Sequence, residues 1–116
     1  MTSLKPVHVR VDPVLVERAV GNLLDNAVKY SPPGAPIEVT VLDGEVIVAD
    51  RGPGIAEEDL PRIFDRFYRA ATARAKPGAG LGLAIVREAA EAHGGQATAE
   101  SSALGARFRL TLPATA

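Results

Sequence analysis

The sequence predicts a two-layer α+β sandwich of about five strands and about three helices. Three observations lead there. Two long stretches, one ending near Tyr30 and one beginning near Leu81, carry apolar residues at helical spacing. Five short segments carry the alternating or compact apolar pattern of strands. The strands cluster beside the helices instead of alternating with them one for one, which argues against a wound parallel sheet. The 116 residues fit one domain spanning 1–116, and 47% hydrophobic content is ordinary for a globular core. With only 3 Phe, 2 Tyr and no Trp, core volume has to come from Val, Leu, Ile and Ala.

Taken in order, Val7, Val9 and Val11 alternate with His8, Arg10 and Asp12, the pattern of a strand with one buried face. Asp12-Pro13 then starts a helix, with Asp as cap and Pro in the first helical position. That helix should run from about Pro13 to Tyr30, where Ser31-Pro32-Pro33-Gly34 stops it. Ile37, Val39 and Val41 alternate with Glu38 and Thr40 as a second strand, and Asp43-Gly44 is a two-residue hairpin signal. Val46-Ile47-Val48-Ala49 reads as a more buried third strand ending at Asp50. A short helix is expected around Leu60 to Phe64, and a mobile loop from Arg69 to Gly80, where apolar periodicity is absent. The second long helix should cover about Leu81 to His93 and stop at Gly94-Gly95. Two strands, near Gln96 to Ser101 and Arg107 to Leu112, close the chain.

Composition removes several function classes. A net charge of −1 argues against a nucleic-acid surface and against a polybasic membrane patch. Without cysteine there is neither a disulfide framework nor a Cys-type zinc site, and two distant histidines make a poor metal site. No apolar run approaches the roughly 20 residues that span a bilayer, and no signal peptide opens the chain. The module is expected to be soluble, although a longer membrane protein can contain it.

Four segments carry the chemistry. On the first helix, Asn22, Asn26 and Lys29 fall within one narrow arc, with Val16, Val20, Leu23, Leu24 and Ala27 on the opposite face. Two carboxamides one turn apart can offer oxygens to a hard cation, and the lysine beyond them can offer charge to phosphates. A solvated helix face would look the same. Asp50-Arg51-Gly52-Pro53-Gly54 follows a buried strand; its glycines let backbone approach a ligand, and its carboxylate can accept from an exocyclic amine. An ordinary Asp-x-Gly turn fits equally well. Gly78-Ala79-Gly80-Leu81-Gly82 feeds a helix N-terminus, an arrangement suited to phosphate. It lacks both the Walker pattern and the Rossmann spacing, and such loops are often purely structural. Gly105-Ala106 enters the last strand as a turn or bulge, with no chemistry assignable from it alone.

Together these segments resemble the ATP-binding domain of bacterial sensor histidine kinases, in the superfamily that also holds DNA gyrase, heat-shock protein 90 and mismatch-repair ATPases. The match runs from about Val7 to Pro113. Asn22-Leu23-Leu24-Asp25-Asn26-Ala27-Val28-Lys29-Tyr30-Ser31 looks like the N box, and Asp50-Arg51-Gly52-Pro53-Gly54-Ile55 like the first G box. Ile63-Phe64-Asp65-Arg66-Phe67-Tyr68-Arg69 looks like the F box, and Gly78-Ala79-Gly80-Leu81-Gly82-Leu83 like the second G box. Four boxes in order at these intervals make the resemblance specific. It implies a Bergerat-type sandwich in which the five strands form a mixed sheet.

The resemblance also implies cofactors, roles and partners. The cofactors are ATP and Mg²⁺. Asn26 would bind the Mg²⁺ that bridges the phosphates, with Asn22 supporting that site or the phosphates, and Lys29 would approach phosphate oxygens. Tyr30 would stack near the adenine and Asp50 would accept from its amino group. Gly52, Gly54 and Ile55 would form the turn beneath the base. Gly80, Leu81 and Gly82 would bring backbone amides to the phosphates. Phe64 and Phe67 would anchor a lid between Arg69 and Gly80, and either Arg66 or Arg69 would reach the γ-phosphate. The last glycine segment of the family often reads Gly-Thr or Gly-Ser, whereas Ala106 stands here, so any hydroxyl contact is lost.

The implied reaction is γ-phosphoryl transfer to a histidine nitrogen, driven by positioning and charge neutralisation. Related ATPases place a glutamate where Asn22 sits, to activate water; Asn cannot act as that base. An ATP-hydrolysing relative, an anti-sigma serine kinase and a non-catalytic nucleotide sensor are the alternatives. His8 should point to solvent from its strand, and His93 should sit as a favourable cation at a helix C-terminus. Neither is followed by an acidic residue, as the family's phosphoacceptor is. The implied acceptor therefore lies on a separate dimerisation hairpin of the same kinase, with a response regulator downstream. The piece itself is expected to be a cytoplasmic fragment, monomeric alone and without direct membrane contact.

Overall fold

The structure, a computed structural model, describes residues 9–68 and 82–113. Helix α1 covers Pro13–Tyr30, as the sequence predicts. Asp12 holds extended backbone, and its carboxylate accepts from the Val14 and Leu15 N–H groups at 3.1 and 3.3 Å. A cap of this kind contributes about 1 kcal/mol. At the other end the Ser31 N–H still donates to the Ala27 carbonyl at 3.0 Å, but Pro32 and Pro33 have no N–H with which to continue. Helix α2 covers Gly82–Ala92. Gly94 takes φ 75°, and the Gly94 and Gly95 N–H groups turn back to the Glu91 and Ala90 carbonyls at 3.0 and 2.8 Å. These are the two bonds of a Schellman stop.

Among the described residues four strands form one sheet: β1 (Glu38–Leu42), β2 (Glu45–Ala49), β3 (Gln96–Ser102) and β4 (Gly105–Thr111). Their order across the sheet is β1-β2-β4-β3. The first hairpin turns at Asp43 and Gly44 with φ 52° and 78°. Positive φ at both positions gives the backbone twist that matches two right-twisted strands. Register places Val48 opposite both Val39 and Phe108, and Val46 opposite Leu110, so one sheet face is continuously apolar. The two α-helices pack side by side on that face, mainly over β2, β3 and β4. Leu23, Val48, Val86 and Leu110 are the largest fully buried side chains. Ala19 and Ala27 on α1, with Ala89 and Ala90 on α2, are also fully or almost fully buried. Arg107 and Arg109 alternate to the other face and pair there with Glu100 and Glu45 at 3.4 and 3.7 Å.

Three expectations change. The predicted strand at Val7–Val11 is not found: Val7 and His8 lie outside the described residues, and Val9–Val11 are not a strand, although Val9 packs against the core. The sheet is antiparallel throughout its described strands, not mixed. Both β1–β2 and β3–β4 are tight hairpins, and β4 separates the similarly directed β2 and β3. The short helix at Leu60–Phe64 is a single 3-10 turn at Leu60–Arg62, closed by an Arg62 N–H to Asp59 carbonyl bond of 2.9 Å. Two α-helices, not three, therefore cover the described sheet. The strand expected from the alternation at Val39 and Val41 is present as β1, and these valines are 49% and 66% exposed because β1 is the sheet edge.

Candidate functional site

The first centre of the site is Asp50, one residue past β2. Its N–H donates to the Ala106 carbonyl at 2.9 Å, extending the β2–β4 ladder by one step. Its side chain turns back: Oδ1 accepts from Gly52 N–H at 2.9 Å and from Ala106 N–H at 3.0 Å. Asp50 is only 5% exposed, a burial tolerable for a carboxylate because Oδ1 is doubly satisfied. Oδ2 accepts no hydrogen bond among the described residues. It is not sealed off either, since Arg109 Nε is the only buried side-chain polar atom among the described residues without a hydrogen-bond partner. Gly105 is obligatory beside it, because a Cβ would lie 2.2 Å from the Asp50 carbonyl oxygen.

The chain from Arg51 to Ile55 then passes between α1 and β3. A Cβ on Gly52 would lie 2.7 Å from the Tyr30 carbonyl oxygen, so the loop rests directly on the end of α1. Gly54 has φ +80°, and a Cβ there would meet Ser101 Oγ at 2.5 Å. Ser31 Oγ accepts from Arg51 N–H at 3.1 Å and Ser101 Oγ from Ile55 N–H at 2.8 Å. Ile55 packs against the core. Tyr30, Asp50, Gly52, Gly54 and Ile55 thus come together as the sequence implies.

The second centre is the polar arc of α1. Asn22, Asn26 and Lys29 are all half-buried. They flank the core instead of opposing it, for Ala19, fully buried, falls between their arc and the Leu23–Ala27 line. The flanking position matters because it turns the arc toward the start of α2. A Cβ on Gly82 would lie 3.4 Å from Asn22 Oδ1. Amide oxygens are hard donors, and among the described residues no group of three or more His, Cys, Asp and Glu could hold a metal. The set fits a Mg²⁺ that keeps phosphate and water ligands better than a protein-caged ion. Lys29 Nζ lies over the Tyr30 ring, 5.7 Å from its centroid.

The segment after the 3-10 turn divides its two phenylalanines. Phe64 is core, meeting Phe108 edge-on with centroids 6.4 Å apart. Phe67 is 66% exposed with φ 67°, and the lid that both phenylalanines are expected to anchor lies outside the described residues. Arg66 pairs with Glu88 on α2, and neighbouring Asp65 pairs with Arg87 at 3.0 Å. Of the two arginine candidates, Arg66 is thus engaged by a carboxylate, and Arg69 lies outside the described residues, as do Gly80, Leu81 and the expected mobile loop.

Sequence reasoning missed Ser31 and Ser101 because a serine acting through its hydroxyl on distant backbone has no local signature. It also left the Gly105-Ala106 segment out of the site. Replacing the family's hydroxyl residue by Ala106 leaves intact the part that holds Asp50, since both Ala106 bonds to it come from backbone. His93 corrects another expectation. Asp12 N–H donates to Nε2 at 2.8 Å, so the ring proton sits on Nδ1, 2.7 Å from the Ala89 carbonyl. That is a neutral ring bridging α1 and α2, not a cation on a helix end.

Residues 11–116 match the family model described as histidine kinase-, DNA gyrase B-, and HSP90-like ATPase. The signal transduction histidine-protein kinase/phosphatase MprB of Mycolicibacterium vanbaalenii is 43% identical over 108 residues, covering 89% of this chain and 22% of that protein. The sensor histidine kinase CusS of Escherichia coli O157:H7 is 46% identical over 108 residues, covering 88% and 22%. The chain therefore spans about a fifth of the length of these curated relatives. Among solved structures, a mycobacterial sensor histidine kinase MprB superposes with a TM-score of 0.77 at 34% identity, covering 97% of this chain and 82% of that one. No helix of the described residues is long and apolar enough to cross a membrane.

Proposed function

The chain belongs to the histidine kinase-, DNA gyrase B- and HSP90-like ATPase family, as the ATP-binding catalytic domain of a sensor histidine kinase, and on that premise we propose that it holds Mg-ATP for γ-phosphoryl transfer to a histidine on a separate dimerisation hairpin. The observation that carries this reading is the divided carboxylate of Asp50. With Oδ1 spent on two backbone N–H groups, Oδ2 is left as an acceptor beside the Gly52 turn, which rests on the end of α1. An adenine amino group satisfies it, whereas guanine would oppose a carbonyl oxygen to a carboxylate. Tyr30 and Ile55 flank the base. Asn26, with Asn22 beside it, offers amide oxygen to Mg²⁺, and Lys29 offers charge to the phosphates. Gly80, Leu81 and Gly82, ahead of and at the start of α2 in sequence, would bring backbone amides to the same phosphates. Arg66 reaches the γ-phosphate only on leaving Glu88, which makes Arg69 its competitor for that role.

Bound Mg-ATP supplies the phosphoryl donor; the residues of this chain orient it and neutralise its charge. None of them is placed to act as a base toward water at position 22, which is Asn. A neutral imidazole needs no such base, so a histidine acceptor suits the site. In the whole protein, the hairpin and a response regulator would be the partners, at the cytoplasmic side of a membrane sensor. Mixing the domain with helical hairpins of candidate kinases and labelled ATP tests the proposal. Acid-labile, base-stable label on a hairpin is expected; label on serine, or release of phosphate alone, would overturn it.

A further inference from the structure

We infer that Ser101, on the far strand β3, is a positioning residue for the base-holding loop, fixing residues 51–55 through the Ile55 amide. The inference rests on the nucleotide reading above and deepens it. The loop makes almost no use of backbone pairing. Pro53 has no N–H, and of the four N–H groups at Arg51, Gly52, Gly54 and Ile55, three donate, each to a side-chain oxygen. The acceptors are Ser31 on the α1 side, Asp50 within the loop, and Ser101 on the β3 side, 46 residues away from Ile55 in sequence. Arg51 pairs with Glu38 on β1 at 3.7 Å, and from there to Ile55 two glycines and a proline offer little side chain to anchor the stretch by packing. Beyond Arg51, its course is therefore set by Asp50 through the Gly52 N–H and by the Ser101 hydroxyl through the Ile55 N–H.

Ser101 does two things at once. Its Oγ accepts from Ile55 N–H at 2.8 Å, and the same atom walls the loop at Gly54, where a Cβ would come within 2.5 Å. Gly54 holds φ +80°, a conformation that glycine adopts freely but has no reason to keep without a neighbour. Loss of the hydroxyl frees Gly54 and Ile55 to drift from β3, which loosens the turn that Gly52 makes beside Asp50. Asn22 and Gly82 approach each other rather than Ser101, a Cβ on Gly82 falling 3.4 Å from Asn22 Oδ1, and are expected to stay in place. Ser101 is exposed, outside the core, so its replacement leaves the fold intact.

The test compares Ser101→Ala and Ser101→Thr with the unaltered domain. Hydrogen exchange should quicken about tenfold at the Ile55 amide in Ser101→Ala, with the β2 and β4 amides unchanged. Calorimetry should show Mg-ATP binding weakened about five- to tenfold in Ser101→Ala, with Mg-tripolyphosphate, which lacks a base, bound as before. Ser101→Thr keeps the hydroxyl and should restore both readouts to within about twofold. Equal loss for ATP and tripolyphosphate, unchanged exchange at Ile55, or a Thr variant as impaired as the Ala variant would each overturn the role. An unaltered domain that binds no Mg-ATP while Ile55 exchange still responds to Ser101→Ala would instead sink the nucleotide reading and leave the loop contact standing.

Discussion

Asp50→Asn separates the two jobs of one carboxylate. An asparagine oxygen at the Oδ1 position can still accept from Gly52 and from the buried Ala106 N–H, at present 2.9 and 3.0 Å away. The amide nitrogen then takes the Oδ2 position and presents a donor where an acceptor stood. Stability should change by less than about 1.5 kcal/mol, since only the charge component of the two internal bonds is lost. Binding should suffer more. A hydrogen bond to a charged acceptor is worth about 1.5–3 kcal/mol, and opposing a donor to the adenine amine adds a desolvation cost of about 1–3 kcal/mol. The sum predicts a loss of affinity of roughly a hundredfold or more. Asp50→Ala gives the contrast: it orphans the Ala106 N–H inside the protein and should destabilise the fold by about 1–3 kcal/mol as well. Calorimetric titration with Mg-ATP and chemical denaturation of both variants decide the matter. If the Asn variant binds ATP as the unaltered domain does, or if it unfolds as readily as the Ala variant, Asp50 serves the β2–β4 junction alone.

Three further substitutions probe other parts of the structure. Asn26→Ala should weaken ATP binding about tenfold in Mg²⁺ and much less in EDTA, which a pair of titrations would reveal; the same loss in both media would remove the metal role. Gly95→Ala should destabilise the domain by about 3 kcal/mol or more in urea denaturation, because its Cβ would sit 1.8 Å from the Thr111 carbonyl oxygen and β4 cannot yield without breaking its ladder. His93→Leu should cost about 1–2 kcal/mol, since the Asp12 N–H loses its acceptor at the start of α1; the expected readout is faster hydrogen exchange at Val14 and Leu15. Unchanged exchange there would show that the His93 bridge does not hold the α1 cap.

Local chemistry made α1 readable end to end: an Asp cap, a Pro at the first position and a Ser-Pro-Pro stop act within a few residues of the backbone they govern. The Asp43-Gly44 hairpin and the Gly94-Gly95 stop were legible for the same reason, since each needs positive φ at a known place. The alternation at Val39 and Val41 correctly marked a strand but left its exposure open, because period two shows which side chains share a face and says nothing about whether another element covers that face. The expected Leu60–Phe64 helix shrank to one 3-10 turn, and Phe64 found its place by packing on Phe108, forty-four residues away in the chain, beyond the reach of any local pattern.

The sequence by itself determined the family, the α+β class and the residue types able to meet a base, phosphates and a hard cation, because those depend on boxes whose chemistry is contained within a few consecutive positions. Only the tertiary structure decided how the site is held. The splitting of Asp50 between two backbone amides and one open oxygen, the support of the loop by Ser31 and Ser101, the pairing of Arg66 with Glu88 and the neutral bridge of His93 each join groups 20 to 81 residues apart, or turn on which of two identical oxygens faces inward. Such contacts arise when separate elements pack against one another, and no spacing along the chain encodes them.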